Sequence, residues 1–340
     1  VYILHSGQLF GTERMALATL AALSDRFEPC VLAPAGPVHS EAVRMGMRSE
    51  ILRGPASMFA LVSREVWRDR ATSFMSTGVS QALVVSVMQR LLGARGTHLH
   101  IVHGGTDERL SYGRKRLLSG LGIRFVAVSE FVAQRLKAHG VDPQAITVIA
   151  NFLHGKTTAS RPAFERDGVR RVVMLSRLDR IKRVGLLFDA LDRDPSLQAM
   201  QFDVYGSGEE ADVLAQRAAK YPCVHLHGFV LDAASRLGQA DLLLHTCPEE
   251  PFGLVMLEAF SAGVPVLVPN AGGAACIVQS GVNGFHFSAN SAASLARQLH
   301  VLMKAPKDVL NGAAAGGKRS LHSQYRPDAL VGDYGRLLEA

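Results

Sequence analysis

Hydrophobic and polar positions follow two alternating tempos along this chain, short β-branched runs and longer stretches with helical spacing. "VYIL" opens as a strand, "TERMALATLAALSDRF" spaces its apolar residues as a helix does, "PCVLAP" returns to strand and "SEAVRMGM" to helix. "HLHIVH", "RFVAVS" and "ITVIAN" follow as short strands, and "EFVAQRLKAHG" is an amphipathic helix that Gly140 would terminate. A second series begins at "RVVMLSR". Its strands "QFDVYG", "VHLHGFV", "DLLLHTC" and "VPVLVP" are separated by the helical stretches "VGLLFDAL", "EEADVLAQRAAKY", "AASRLGQ" and "GLVMLEAFSAG", and "NSAASLARQLHVLMKA" comes last. Strand and helix in strict alternation predict parallel sheets with helices on both faces, built here twice.

This pattern divides the chain into a first domain over residues 1–152, a polar, Pro- and Gly-punctuated linker over 153–170, a second domain over 171–322 and a terminal helix over 323–340. A length of 340 residues suits two cores rather than one. In the terminal segment, Tyr325, Leu330, Val331, Tyr334 and Leu338 are the expected buried positions. No internal repeat is visible, and "NGAAAGG" at 311–317 is the one low-complexity tract.

No apolar run approaches the roughly 18 residues a membrane helix needs, and "VYILHSG" is too short and unflanked for a secretion signal, so a cytoplasmic protein is expected. Cys30, Cys223, Cys247 and Cys276 form no Cys-x-x-Cys pair, which argues against a zinc ribbon or a disulfide framework. Charge is uneven. Residues 1–152 hold 17 Lys+Arg against 11 Asp+Glu, net +6, while residues 153–340 hold 20 against 19, net +1. The densest basic points are "YGRKRLL" and Arg64, Arg68 and Arg70. Such a surface attracts an anionic membrane, a phosphorylated acceptor or nucleic acid; a merely solvated basic face is the plainer reading. Peripheral association with the inner membrane face is kept as an expectation, and no nucleic-acid partner is expected.

Doubly wound sheets bind ligands outside the carboxyl ends of their strands. Four successive strand ends of the second series carry chemistry: "LSRLDRIKR" with Arg177 and Lys182, "YGSGEE" with Gly206, "HGFVLD" with Val230, and "CPEEPFG" with Glu250 before a helix starting near Gly253. Cations and a helix N-terminus supply donors to a diphosphate. Carboxylate oxygens suit vicinal hydroxyls. Glu250 in the loop and Glu258, expected about two turns inside the helix, would then address two diols of one extended ligand. A nucleotide with a sugar on its far phosphate satisfies the set.

"EPFGLVMLEAFSAGVPVL" resembles the E-x7-E signature of retaining glycosyltransferases of the GT-B fold, particularly glycosyltransferase family 4. "SRLDRIKR" resembles that family's Arg-x4-Lys motif, "PNAGGAACIVQSGVNGFHF" its glycine turns, and "FGTERMALATLAAL" its N-terminal loop and helix. The resemblance covers nearly the whole chain, strongly over 172–287 and loosely over 35–100. It implies two Rossmann-like domains facing a cleft, with a final helix crossing back to the first. It implies transfer of a hexose-type sugar from a nucleoside diphosphate sugar, UDP favoured over GDP on family frequency, to a glycan, lipid or small-molecule hydroxyl. No cofactor is expected.

By the same resemblance, Arg177 and Lys182 neutralise the diphosphate, and Glu250 holds hydroxyls of the transferred sugar beside the N–H groups of Phe252, Gly253 and Leu254. Glu258 binds the ribose, Gly11 lets the backbone approach the distal phosphate, and His103 faces the donor sugar. Glu250, His103, Arg177 and Lys182 are thus the catalytic candidates. No metal is expected, because Arg177, Lys182 and the helix dipole stand in for the ion that an Asp-x-Asp pair clamps in another glycosyltransferase fold. The pairs His98/His100 and His225/His227 have metal-compatible spacing, but without an acid or cysteine beside them they are read as structural.

The chain departs from the pattern at three places. Phe10 precedes Gly11 where a second glycine is usual, Cys247 stands where Ser is usual, and Cys276 replaces a common acid. Two other readings stay open: another GT-B sugar-nucleotide enzyme, such as an epimerase, or a non-catalytic nucleotide binder. A dinucleotide oxidoreductase is disfavoured, since "HSGQLFGTE" follows the first strand where Gly-x-Gly-x-x-Gly would be needed.

Overall fold

A computed structural model describes residues 1–105, 108–153 and 160–340; residues 154–159 of the expected linker lie outside the described residues. Contacts divide the chain into two compact units, Val1–His154 with Arg326–Ala340, and Gly155–Tyr325.

The first unit builds a parallel sheet from β1 (Tyr2–Ile3), β2 (Cys30–Ala33), β3 (Arg48–Ile51), β4 (Phe74–Ser76), β5 (His98–Val102), β6 (Arg124–Ala127) and β7 (Ile146–Val148), in the order β3-β2-β1-β4-β5-β6-β7. Its helices are α1 (Gly11–Ala22), α2 (Val38–Arg44), α3 (Pro55–Arg68), α4 (Val79–Leu92), α5 (Glu108–Ser111) and α6 (Glu130–Ala138). The inner strands β1, β2, β4 and β5 are buried throughout, β6 leaves only Arg124 half-buried, and the edge strands β3 and β7 are partly exposed. Ile3, Leu32 and Phe74 from the sheet pack with Val62 of α3 and Val85 of α4. Helix α6 starts at Ser129, whose hydroxyl accepts the Val132 N–H, and ends with Gly140 in the left-handed region at φ 82°.

The second unit repeats the plan with β8 (Arg171–Leu175), β9 (Gln201–Tyr205), β10 (Val224–Leu226), β11 (Leu242–Leu244), β12 (Val266–Pro269) and β13 (Phe285–Phe287), ordered β10-β9-β8-β11-β12-β13 and all parallel. Its helices are α7 (Leu186–Arg193), α8 (Ala211–Ala218), α9 (Leu254–Ala262), α10 (Gly272–Ile277), α11 (Ala292–Met303) and α12 (Lys307–Ser323). "AASRLGQ" forms a 3-10 turn at Ala233–Gln239.

Residues 160–170 are not a free connector. Phe164 and Val169 are buried in the second unit's core, and Arg161 lies 3.4 Å over the Phe164 ring while pairing with Asp241 at 2.7 Å. Asp241 also accepts the N–H groups of Arg170 and Arg171, which ties the start of β8 to β11. The "NGAAAGG" tract forms the middle of α12. A Cβ on Gly316 would lie 1.8 Å from the Val282 carbonyl oxygen, and one on Gly317 would lie 2.5 Å from the Phe260 ring, so small residues let α12 seat against α9 and its surroundings.

The last helix, α13 (Pro327–Glu339), belongs to the first unit, where it packs on α1 and β5. It buries Val331, Tyr334, Gly335 and Leu338, leaves Leu330 half-buried, and Arg26 pairs with Glu339. Tyr325 is buried elsewhere, edge-on to Phe252 in the second unit at 6.0 Å.

Candidate functional site

In the second unit the strand order reverses between β8 and β11, the place where doubly wound sheets open a crevice. The loops leaving these two strands carry the cations and the acid that the sequence singles out. After β8, the Ser176 N–H donates to the Tyr205 carbonyl at 3.1 Å, Leu178 N–H to Ser207 at 2.9 Å, and a 3-10 turn over Arg180–Lys182 follows. Arg183 then adopts φ 53°, which redirects the chain into α7. Gly206 makes this loop possible. At φ 148° its Cβ would lie 1.8 Å from the Ser176 carbonyl oxygen, so a side chain there would push the two strand-end loops apart.

After β11, the Thr246 hydroxyl donates to the Lys182 carbonyl at 2.7 Å and joins the two loops. The Glu250 carbonyl accepts the Gly273 N–H at 2.6 Å. A Cβ on Gly273 would sit 2.1 Å from the Pro251 carbonyl oxygen, so the Gly-Gly turn acts as a bed for the loop that holds Glu250. Gly253, at φ 96°, is the residue before α9, and Leu254 is its first helical residue. A helix start carries N–H groups without intrahelical partners.

Between these loops, Lys182 Nζ meets Glu250 Oε2 at 2.6 Å with both side chains largely buried, 16% and 13% exposed. His245 Nε2 lies 3.4 Å from the same oxygen. Burial by itself would raise the Glu250 carboxyl, but the charge of Lys182, then His245 and the Lys182 hydrogen bond, hold it below the ordinary carboxylate range. Burial pushes the His245 imidazole down to about 4 and the Cys247 thiol up to about 11. Arg177 is not part of this cluster. Its side chain is 66% exposed and pairs with Asp179 at 2.7 Å.

Phe252 is buried, and Val230 is half-buried between Phe229 and Leu231, which are 71% and 80% exposed. Glu258 is half-buried at the fifth position of α9, a little over one turn inside the helix rather than two, since α9 starts where expected and a turn takes 3.6 residues. Gly11 and His103 lie in the first unit. Gly11 opens α1 with free space where a Cβ would be. The glycine that close backbone approach demands in that loop is Gly7, whose Cβ would lie 2.3 Å from the Pro34 carbonyl oxygen. His103 follows β5; its Nε2 is shielded from solvent without a hydrogen-bond partner among the described residues, and burial takes the imidazole down to about 4.

The histidine pairs find partners that spacing could not reveal. Ser76 Oγ lies 2.9 Å from His98 Nε2 and 3.0 Å from His100 Nδ1. His227 Nε2 sits 2.7 Å from Asp203, so an acid does stand beside that pair. The chain also holds one Asp-x-Asp triplet, Asp192-Arg193-Asp194. It sits at the far end of α7, where Asp192 accepts the Tyr221 hydroxyl and Asp194 caps the next turn and pairs with His300. His245 and Thr246 carry no role in the sequence reading. Their signal was position, directly after the fourth strand end.

The fold defines a class. The two parallel-sheet units are of the GT-B type, and residues 156–318, somewhat under half of the chain, match the family model described as Glycosyl transferases group 1. The solved structure of Anabaena HepE in complex with UDP superposes with a TM-score of 0.82 at 19% identity, over 99% of this chain and 98% of that one. Among curated proteins, N-acetyl-alpha-D-glucosaminyl L-malate synthase of Bacillus anthracis is 25% identical over 169 residues, 48% of this chain and 43% of its own. D-inositol 3-phosphate glycosyltransferase of Mycolicibacterium vanbaalenii is 25% identical over 244 residues, 63% of this chain and 53% of its own. The chain spans about half the length of these curated relatives.

Proposed function

We propose that the protein is a retaining glycosyltransferase of family 4 that moves a hexose-type sugar from a nucleoside diphosphate sugar, UDP favoured, to an acceptor hydroxyl on a glycan, lipid or small molecule. The observation that carries this reading is the buried Lys182–Glu250 pair at the strand-order reversal, inside the segment that matches the group 1 family model. An ammonium has three donors, so Lys182 can keep Glu250 and still meet a phosphate oxygen. Glu250 retains acceptor capacity for sugar hydroxyls. Arg177, exposed on the same loop, is free to swing from Asp179 to the diphosphate, and the start of α9 adds N–H donors. Glu258 takes the ribose diol. Complexes of HepE with UDP, and with UDP and glucose, support the donor class.

In this reading the acceptor oxygen bonds to the anomeric carbon on the face from which the nucleoside diphosphate leaves. The bond to the diphosphate breaks as the new one forms, and the departing phosphate oxygen takes the acceptor's proton. Lys182 and Arg177 stabilise the charge that builds on that oxygen. Gly11 and His103 contribute from the first unit by resemblance alone. No helix among the described residues is long and apolar enough to cross a membrane. We place the protein in the cytoplasm, its basic first half drawing it to the inner membrane face.

The test is incubation with UDP-, GDP- and ADP-sugars, following donor hydrolysis and the anomer first released by NMR. Hydrolysis of one nucleotide class with retained configuration is expected. Inverted product would overturn the retaining assignment, and binding without turnover for every donor would leave only a nucleotide binder.

A further inference from the structure

His245, Cys247 and Glu250 bring one imidazole nitrogen, one thiol sulfur and one carboxylate oxygen within 4.8 Å of one another. His245 and Cys247 are alternate residues just past β11 and are 4% and 1% exposed. His245 Nε2 has no hydrogen-bond partner among the described residues, although it is buried and faces Glu250 Oε2 at 3.4 Å. A buried polar atom without a hydrogen bond is costly and rare, so its retention asks for an explanation. Nitrogen, sulfur and carboxylate oxygen converging on one point form the mixed donor set of zinc-type ions.

We propose that His245, Cys247 and Glu250 form a binding site for a thiophilic divalent cation, Zn²⁺ foremost. Tetrahedral zinc places its ligand atoms about 3.3–3.8 Å apart, so the three donors need to draw together by about 1 Å. Cys247 and Glu250 supply this by rotamer adjustment. Lys182 must release Glu250 to the cation. Lys182 stands on a short 3-10 turn, and its side chain, at 16% exposed, is not fully enclosed. Binding ionises the thiol: the S–H bond breaks, the sulfur pair goes to the metal and one proton leaves to solvent, which offsets the burial that otherwise keeps Cys247 protonated. A water or anion completes the fourth position.

One consequence rests on the donor-site reading. Since Lys182 and Glu250 serve the donor there, the cation withdraws both and inhibits, which makes this a regulatory or inhibitory site. The existence of the site does not depend on that reading.

The experiment is titration of the full chain, stripped with EDTA and desalted, with Co²⁺, following thiolate-to-metal absorption in the near ultraviolet. One equivalent is expected to produce the band and Zn²⁺ to bleach it. Cys247→Ser should abolish the band, His245→Gln should weaken Co²⁺ affinity at least tenfold, and Cys276→Ser and Cys223→Ser should leave it intact. Circular dichroism melts establish that each variant is folded; if Cys247→Ser is not, His245→Gln and Cys276→Ser decide. A band that survives Cys247→Ser, that disappears in Cys276→Ser, or that keeps full affinity in His245→Gln overturns the site. A Cys247-dependent band without Zn²⁺ inhibition of donor turnover would keep the site and count against the donor reading.

Discussion

Lys182 and Glu250 meet at 2.6 Å although 68 positions of chain separate them. The Glu250 charge depends on its partner. The carboxylate is held ionised against its burial mainly by the ammonium, and the backbone that carries Lys182 is anchored where its carbonyl accepts the Thr246 hydroxyl. The pair is therefore both a structural joint between two strand-end loops and a preset pair of charges.

Removing one member should expose that coupling. Lys182→Ala leaves Glu250 buried without its cation, a loss on the order of 3 kcal/mol. Adding Glu250→Gln removes the stranded charge and should recover much of it. Urea unfolding of the single and double variants measures this; equal losses in both would mean that the joint is not electrostatic.

Arg177 should behave differently. With 66% of its side chain exposed, Arg177→Ala should change stability by no more than about 0.5 kcal/mol. Its loss should appear in donor affinity or turnover, since one charge-assisted contact is worth roughly 1.5–3 kcal/mol, on the order of 10- to 100-fold. Unchanged turnover would remove Arg177 from the diphosphate site.

If Glu258 takes the ribose as proposed, Glu258→Gln should weaken binding of free UDP as well as of the donor, because both contain that ribose. Glu250→Gln should spare UDP and show its loss in turnover, where contacts to the transferred sugar tighten. Calorimetry with UDP beside initial rates separates the two. Equal loss of UDP affinity in both variants would place Glu250 at the wrong end of the ligand.

Acid should destabilise the protein before its carboxylates titrate. His98 is held at about 3, and His103 and His245 at about 4, by burial. On acidification the unfolded chain takes up these protons from about pH 6.5 downward while the folded chain does not, so stability falls as pH falls through that window. Each histidine contributes a loss on the order of 2 kcal/mol by pH 5. The depressed Glu250 carboxyl acts lower: its contribution is present above the ordinary carboxylate range and is lost only as pH drops through its folded value. Urea midpoints from pH 8 to 5 check this, and His98→Gln should flatten the slope. A midpoint constant over that range would contradict neutral burial.

Two glycines of α12 should respond with opposite sign. Gly312 has open space around a would-be Cβ, so Gly312→Ala should stabilise by about 0.5–1 kcal/mol. At Gly316 the same Cβ would meet the Val282 carbonyl oxygen at 1.8 Å, so Gly316→Ala should destabilise by about 1–3 kcal/mol. Thermal melts of both read the contrast.

The sequence by itself determined the local elements and their kind. Strand-like runs such as "DLLLHT" and "RVVML" and helical spacing such as "VGLLFDAL" follow from side-chain periodicity, and the fold class follows from their alternation. It also put Lys182 and Glu250 each at a strand end. Only the tertiary structure decided that β8 lies beside β11 with the order reversing there, because parallel neighbours are joined by crossovers and no local pattern records which strands pair. That choice brings Lys182 to Glu250 and sets His245 and Cys247 against them. It also decided that Phe164 and Val169 leave a polar stretch to dock on the second core, and that the low-complexity tract "NGAAAGG" lies within a helix. In each case the deciding energy is burial against residues distant in the chain, which outweighs the local propensity that sequence displays.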